Sequence, residues 1–179
     1  RLSGGRRIAL GFIRPLIFLV FMADNMDAAY IPQLSAGLGA ASAAFLPQAL
    51  ASALPMSLQL LTIGLSAMVA GRVLDRSHPR AVLLGGFALQ CAGALAAIAA
   101  IVSGQYWLLL LAKAVGGVGT GASVVTCNAM PARTEEPVEQ QSLIAGLNVG
   151  VITGVVLGSS AGGYLAQYLG YPAAYIASV

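Results

Sequence analysis

An all-α transmembrane helical bundle is predicted by three features of the sequence. Hydrophobic residues make up 58% of the chain and charged ones 8%, against roughly 25% charged in an ordinary soluble domain. Apolar stretches of about 20 residues recur, each long enough to cross about 30 Å of hydrocarbon. The basic residues of the connections fall only in alternate connections, as a membrane protein with its loops on two different sides requires.

The first span is predicted at 8–31. It follows Arg6 and Arg7, yet its apolar run is too long for a signal peptide and no small-residue cleavage pattern closes it. The second runs 46–70. The third, 81–102, is preceded by Pro79, which suits the first turn of a helix because its missing N–H has no intrahelical partner there. The fourth, 107–130, starts at Trp107 and stops before Pro131. The fifth, 142–169, follows Pro137, and a sixth starts at 172–179. No soluble domain is predicted within 1–179. Because the chain opens on Arg1 and the sixth span is cut at Val179, the expectation is a fragment of a longer protein.

Arg1, Arg6 and Arg7 precede span one, Arg72, Arg76 and Arg80 lie between spans two and three, and Arg133 lies between four and five. The connections 32–45, 103–106 and around Gly170 hold neither Lys nor Arg. The positive-inside rule then predicts a cytoplasmic N-terminus in a plasma or bacterial inner membrane. Net charge +3 is accounted for by these loops and implies no nucleic-acid partner. Glu135, Glu136 and Glu139 read as a solvated acidic connection at a helix N-terminus, or as a partner for the Arg72, Arg76 and Arg80 loop.

Span five carries Gly146, Gly150, Gly154, Gly158 and Gly162 at intervals of four, with Gly163 beside the last. Each glycine in a soluble helix costs about 1 kcal/mol relative to Ala. A ladder of them therefore predicts a helix-packing surface where another backbone comes close, as small residues allow in membranes.

Asp24 and Asp27 in span one and Lys113 in span four are ionisable residues inside predicted spans. A charge at bilayer depth costs at least about 2.5 to 3.5 kcal/mol, so such residues face a cavity or one another. Measured from Ile31 and Trp107 as outer ends, Asp24 lies roughly 10 Å down, Asp27 roughly 6 Å and Lys113 about 9 Å, at 1.5 Å per residue. All three share one layer. Asp24 and Asp27 also share a helix face, while Asn25 points elsewhere. A lysine set between two carboxylates in a low-dielectric cavity holds at least one of them ionised, the physical basis of a proton-coupled site. The bland alternative is a structural ion pair between spans one and four. Asn25, Gln59, Asn128 and Asn148 are further candidates for polar lining.

Other signals point away from chemistry. Cys91 and Cys127 fall inside spans, with no histidine near enough to suggest a metal site. Gly158-Ser159-Ser160-Ala161-Gly162 fits the Gly-x-Ser-x-Gly elbow, but the single histidine, His78, lies in a loop on the opposite side, and a serine without a base is inert. The glycines from Gly116 to Gly121 fail the dinucleotide spacing. No enzyme activity, cofactor or metal is expected.

The loop Gly71-Arg72-Val73-Leu74-Asp75-Arg76-Ser77-His78-Pro79-Arg80 resembles the loop between helices two and three of the major facilitator superfamily, Gly-x-Leu-Ala-Asp-Arg-x-Gly-Arg-Lys, with Gly71, Asp75, Arg76 and Arg80 in register. His78 and Pro79 replace its second glycine and the arginine after it. Lys113-Ala114-Val115-Gly116-Gly117-Val118-Gly119 is similar to the helix-four pattern Arg-x-x-Gln-Gly-x-Gly, and Gly154 to Gly163 to the helix-five antiporter pattern Gly-x-x-x-Gly-Pro-x-x-Gly-Gly, with Ser159 for the proline. The resemblance implies the N-terminal six-helix half of a twelve-helix fold, with five full spans present here, rocking about a central site. It implies that the Asp75 and Arg76 loop closes the cytoplasmic side and that helix five packs across the half-to-half boundary.

The expected function is a secondary transporter of small organic solutes, proton-coupled and working by alternating access. Its partners are the lipid bilayer, a second six-helix half missing from this chain, a small-molecule substrate and protons. A transporter-like sensor fused to a soluble output domain is the alternative. The glycine ladder is expected to face the missing half, so that Gly154→Leu and Gly158→Leu disrupt transport more than expression of this fragment.

Overall fold

The computed structural model describes residues 4–43, 45–132 and 137–178. Seven helices follow one another among the described residues: α1 Gly4–Asp24, α2 Ile31–Ser42, α3 Gln48–Leu74, α4 Pro79–Ser103, α5 Tyr106–Ala132, α6 Pro137–Leu169 and α7 Tyr171–Ser178. Among the described residues, four helices are long and apolar enough to cross a membrane, within α3, α4, α5 and α6.

The first predicted span is not one continuous helix. α1 stops at Asp24 and residues 25–30 form turns, in which the N–H groups of Met26, Ala28 and Tyr30 donate to carbonyls three residues back. α2 then begins at Ile31. The stretch 32–45, expected as a connection, is therefore helical as far as Ser42. Pro32 sits in the first turn of α2, where proline's missing N–H has no intrahelical partner to lose. Pro79 opens α4 in the same way, and Gly104, at φ 67, closes it in the left-handed region that favours glycine.

α5 is the centre of the bundle. Half of its apolar window is buried, against 22% in α3, α4 and α6. Glycines bring its neighbours in: a Cβ added at Gly93 of α4 would lie 2.7 Å from the Gly116 backbone nitrogen, and one at Gly117 would lie 2.7 Å from the Gln59 carbonyl oxygen of α3. Small polar residues of α5 lie in the interior, Thr120, Ser123 and Thr126 being nearly inaccessible, while Leu60, Leu65, Leu84, Leu95, Val149 and Val156 are exposed. That inversion suits a bundle solvated by lipid, where small residues pack helices and large apolar ones face the chains. Rings cluster at one end, with Phe45 stacked on Trp107 and Tyr164 against Tyr168, as in the aromatic belt of a membrane interface.

The partner of the glycine ladder is α1. A Cβ on Gly150 would lie 2.7 Å from Ile17 Cγ2, and one on Gly154 2.7 Å from the Phe18 carbonyl oxygen. At Gly146 it would strike the Arg14 side chain, and at Gly158 and Gly162 the carbonyl oxygens of Met22 and Met26. Arg14, Phe18, Met22 and Met26 are themselves four apart, so two i+4 rows lie against each other and the Cα–H groups of one helix meet carbonyls of the other. This corrects the expectation that the ladder faces a missing half. Spacing by four reveals that a backbone comes close, and says nothing about whose it is.

Candidate functional site

Four helices and the break after α1 converge on one polar cluster. α1 ends on Asp24 and the turns carry Asp27. α3 supplies Gln59, α5 supplies Lys113 and, two turns further on the same face, Thr120. α7 supplies Tyr175. Asp27, Lys113 and Tyr175 are all buried.

The bonds form a chain. Tyr175 OH donates to Asp27 Oδ2 at 2.6 Å, and Lys113 Nζ forms an ion pair with the same oxygen. Lys113 Nζ also donates to Gln59 Oε1 at 3.1 Å. The Gln59 amide then donates to Asp24 Oδ1 at 3.0 Å, and Thr120 Oγ1 donates to that oxygen at 2.8 Å. Gln59 reads as an adaptor, accepting from a cation at one end and donating to an anion at the other. A cavity of about 40 Å³ borders the cluster, lined also by Gln90, Ala94 and Tyr30.

Lys113 and Asp27 meet directly, although the first helix ends at Asp24 and not at Ile31. The lysine pairs directly with Asp27 and reaches Asp24 only through Gln59, an arrangement that depth arithmetic along separate helices cannot resolve. Asn25 turns back to donate to the Phe21 carbonyl at 2.9 Å. Asn128 and Asn148 are exposed and lie apart from the cluster. Arg72 in the last turn of α3, Asp75, Arg76 and His78 in the loop after it, and Arg80 in the first turn of α4 are exposed. Arg133, Glu135 and Glu136 lie outside the described residues, as does the Glu139 side chain.

Sequence reasoning missed Thr120, Tyr175 and Arg14. Thr120 carried a signal, being seven residues from Lys113 and so on its face of the helix. Tyr175 sat in a stretch too short to be read as a span. Arg14 lies within the first predicted span, exposed, and its guanidinium donates to Ser142 O at 2.9 Å and Ser142 Oγ at 2.8 Å across the α1–α6 seam.

The chain matches the family model described as Major Facilitator Superfamily over residues 15–179. It is similar to Multidrug resistance protein D of Escherichia coli (strain K12), with 29% identity over 121 residues, which cover 68% of this chain and 30% of that protein. The match thus spans under a third of that relative's length. No solved structure matches significantly. With its long apolar helices in contact with the lipid bilayer, this is an integral membrane protein, and the chain belongs to the major facilitator superfamily.

Proposed function

We propose that this chain forms part of a secondary active transporter of small organic solutes, coupled to protons and working by alternating access. The observation that carries the proposal is the buried Asp27–Lys113 pair, joined through Gln59 to Asp24 at the break between α1 and α2. Ionisable residues inside a membrane mark substrate or proton pathways, and broken helices at mid-span are where transporter sites form. The relative's printed name supports drug-like organic compounds as the substrate class.

Protonation of Asp27 removes the negative partner of Lys113 and leaves a buried ammonium. Uncompensated buried charges cost about 3–5 kcal/mol, while about 5.5 kcal/mol carries a two-state equilibrium from 1:99 to 99:1. One proton biases the inward- and outward-open states to the extent that one of them compensates the stranded ammonium better than the other. The second six-helix half closes the other wall of the cavity. Gly71, Asp75, Arg76 and Arg80 form the gate loop on the cytoplasmic side, where the arginine asymmetry also places the N-terminus of a cell-membrane protein.

The test uses the full-length protein in proteoliposomes, with ethidium as the probe and an imposed pH gradient. Ethidium transport should follow the gradient, vanish when an ionophore collapses it, and fall at least about tenfold, the equivalent of about 1.4 kcal/mol in the barrier, in Asp27→Asn. Equal transport with and without the gradient, in both proteins, would contradict proton coupling through Asp27.

A further inference from the structure

Asp27 is bonded on one side only. Both of its donors, Lys113 Nζ and Tyr175 OH, converge on Oδ2, and Oδ1 is buried with no hydrogen-bond partner among the described residues. The Tyr30 hydroxyl is buried and without a partner in the same way. Asp27 is 5% exposed and Tyr30 4%, so neither atom is solvated from outside. Both residues line the same cavity of about 40 Å³. The Tyr30 ring is held in place, 5.2 Å from Tyr171 and 6.0 Å edge-on from Tyr175, so its hydroxyl has little freedom to seek another partner.

Two buried polar atoms without partners, on two residues that line one cavity, call for a bridging group, because an unsatisfied buried carboxylate oxygen or hydroxyl costs as much as a lost hydrogen bond. The cavity is large enough for two or three waters at roughly 10–15 Å³ each. We infer that a small cluster of ordered water, held between Asp27 Oδ1 and Tyr30 OH, is the port through which Asp27 gains and loses its proton. The inference rests on the proton-coupled reading above and assigns it an atom. In loading, a hydronium in the cavity breaks one O–H bond as its proton bonds to Oδ1, leaving water and a neutral carboxyl; unloading is the reverse. Tyr175 keeps its bond to Oδ2, so the carboxyl does not rotate and Oδ1 remains the receiving atom.

The groups facing Asp27 are few. α1 presents Asp24, the turns after it Tyr30, α5 Lys113, and α7 Tyr175 and Tyr171. α3 and α4 present only the neutral amides of Gln59 and Gln90, and α6 lines none of the cavity. Tyr30 is thereby a positioning residue that acts through water.

The experiment is a pH jump on the full-length protein in a bilayer, followed by infrared absorbance of the protonated carboxyl, with Asp27→Asn as the blank that identifies the band. Tyr30→Phe keeps the ring and removes the hydroxyl. Ala94→Val, at the cavity wall, reduces its volume without touching the ion pair. Each should slow protonation of Asp27 about tenfold, the effect of one lost hydrogen bond to a charged group, while thermal melting stays near wild type. Should Tyr30→Phe protonate Asp27 at the wild-type rate while the band remains absent in Asp27→Asn, the water port is overturned and the proton-coupled reading stands. A carboxyl band that persists in Asp27→Asn, with no band assignable to Asp27, overturns both.

Discussion

The two sides of the first helix and its break behave as opposites. One side presents the backbone carbonyls of Phe18, Met22 and Met26 to Gly154, Gly158 and Gly162 of α6, next to the Arg14 and Ile17 side chains that meet Gly146 and Gly150. The other presents Asp24 and Asp27 to Gln59, Thr120, Lys113 and Tyr175. At its last three glycines the seam has little to adjust, because a carbonyl against a glycine Cα has nothing to rotate. On the proposed function, the polar side consists of side chains whose bonds change with a single proton. One element would thus join a close contact to a switchable one.

The largest effects should come from breaking the seam. Gly158→Leu and Gly162→Leu place side-chain atoms where the Met22 and Met26 carbonyls stand, and overpacking of this kind costs about 1–3 kcal/mol or more. Both should lower the folded yield of this segment itself and its thermal melting point, whether or not a second half is present. Gly163→Ala is the internal control, since its nearest neighbour is the Ala29 side chain at 3.3 Å; it should melt close to wild type. If Gly162→Leu melts like Gly163→Ala, the seam is not where α6 packs.

Next in size is the ion pair. Asp27→Leu alone should destabilise by about 3–5 kcal/mol, since it strands the Lys113 ammonium, whereas Asp27→Leu with Lys113→Met should recover most of that loss. A double-mutant cycle by thermal melting measures the coupling, and additive losses would mean that the pair does not interact. Smaller again is Gln59→Leu, which removes both the acceptor for Lys113 and a donor to Asp24; about 1–3 kcal/mol is expected from leaving those groups short of a partner. The smallest change lies on neither side of α1. Gly85 of α4 is exposed and a Cβ there meets nothing within 4 Å, so Gly85→Ala should be neutral or stabilise by up to about 1 kcal/mol through helix propensity.

The same contrast explains what the amino-acid sequence discloses. Fold class was legible, because lipid solvation leaves long apolar runs and alternating arginines that need no tertiary information. The break after Asp24 was not legible, because no glycine or proline lies between Asn25 and Ile31 and the turns there follow from tertiary packing. The charged residues of the site stood out by their cost in a membrane, yet their pairing did not. Whether Lys113 meets Asp24 or Asp27 depends on rotation and offset between helices, which spacing within one helix leaves free. Tyr175 and Thr120 were hidden for a simpler reason: tyrosine and threonine are cheap enough in a membrane to need no explanation until a carboxylate is found beside them.

The most direct test replaces Lys113 with Met in the full-length protein and measures ethidium transport at several pH values, in preparations whose melting shows a folded bundle. The switchable side predicts that transport falls at least about tenfold and that what remains no longer varies with pH. Unchanged transport with an unchanged pH dependence would contradict it, leaving Asp27 and Lys113 as no more than a structural clasp between the first helix and α5.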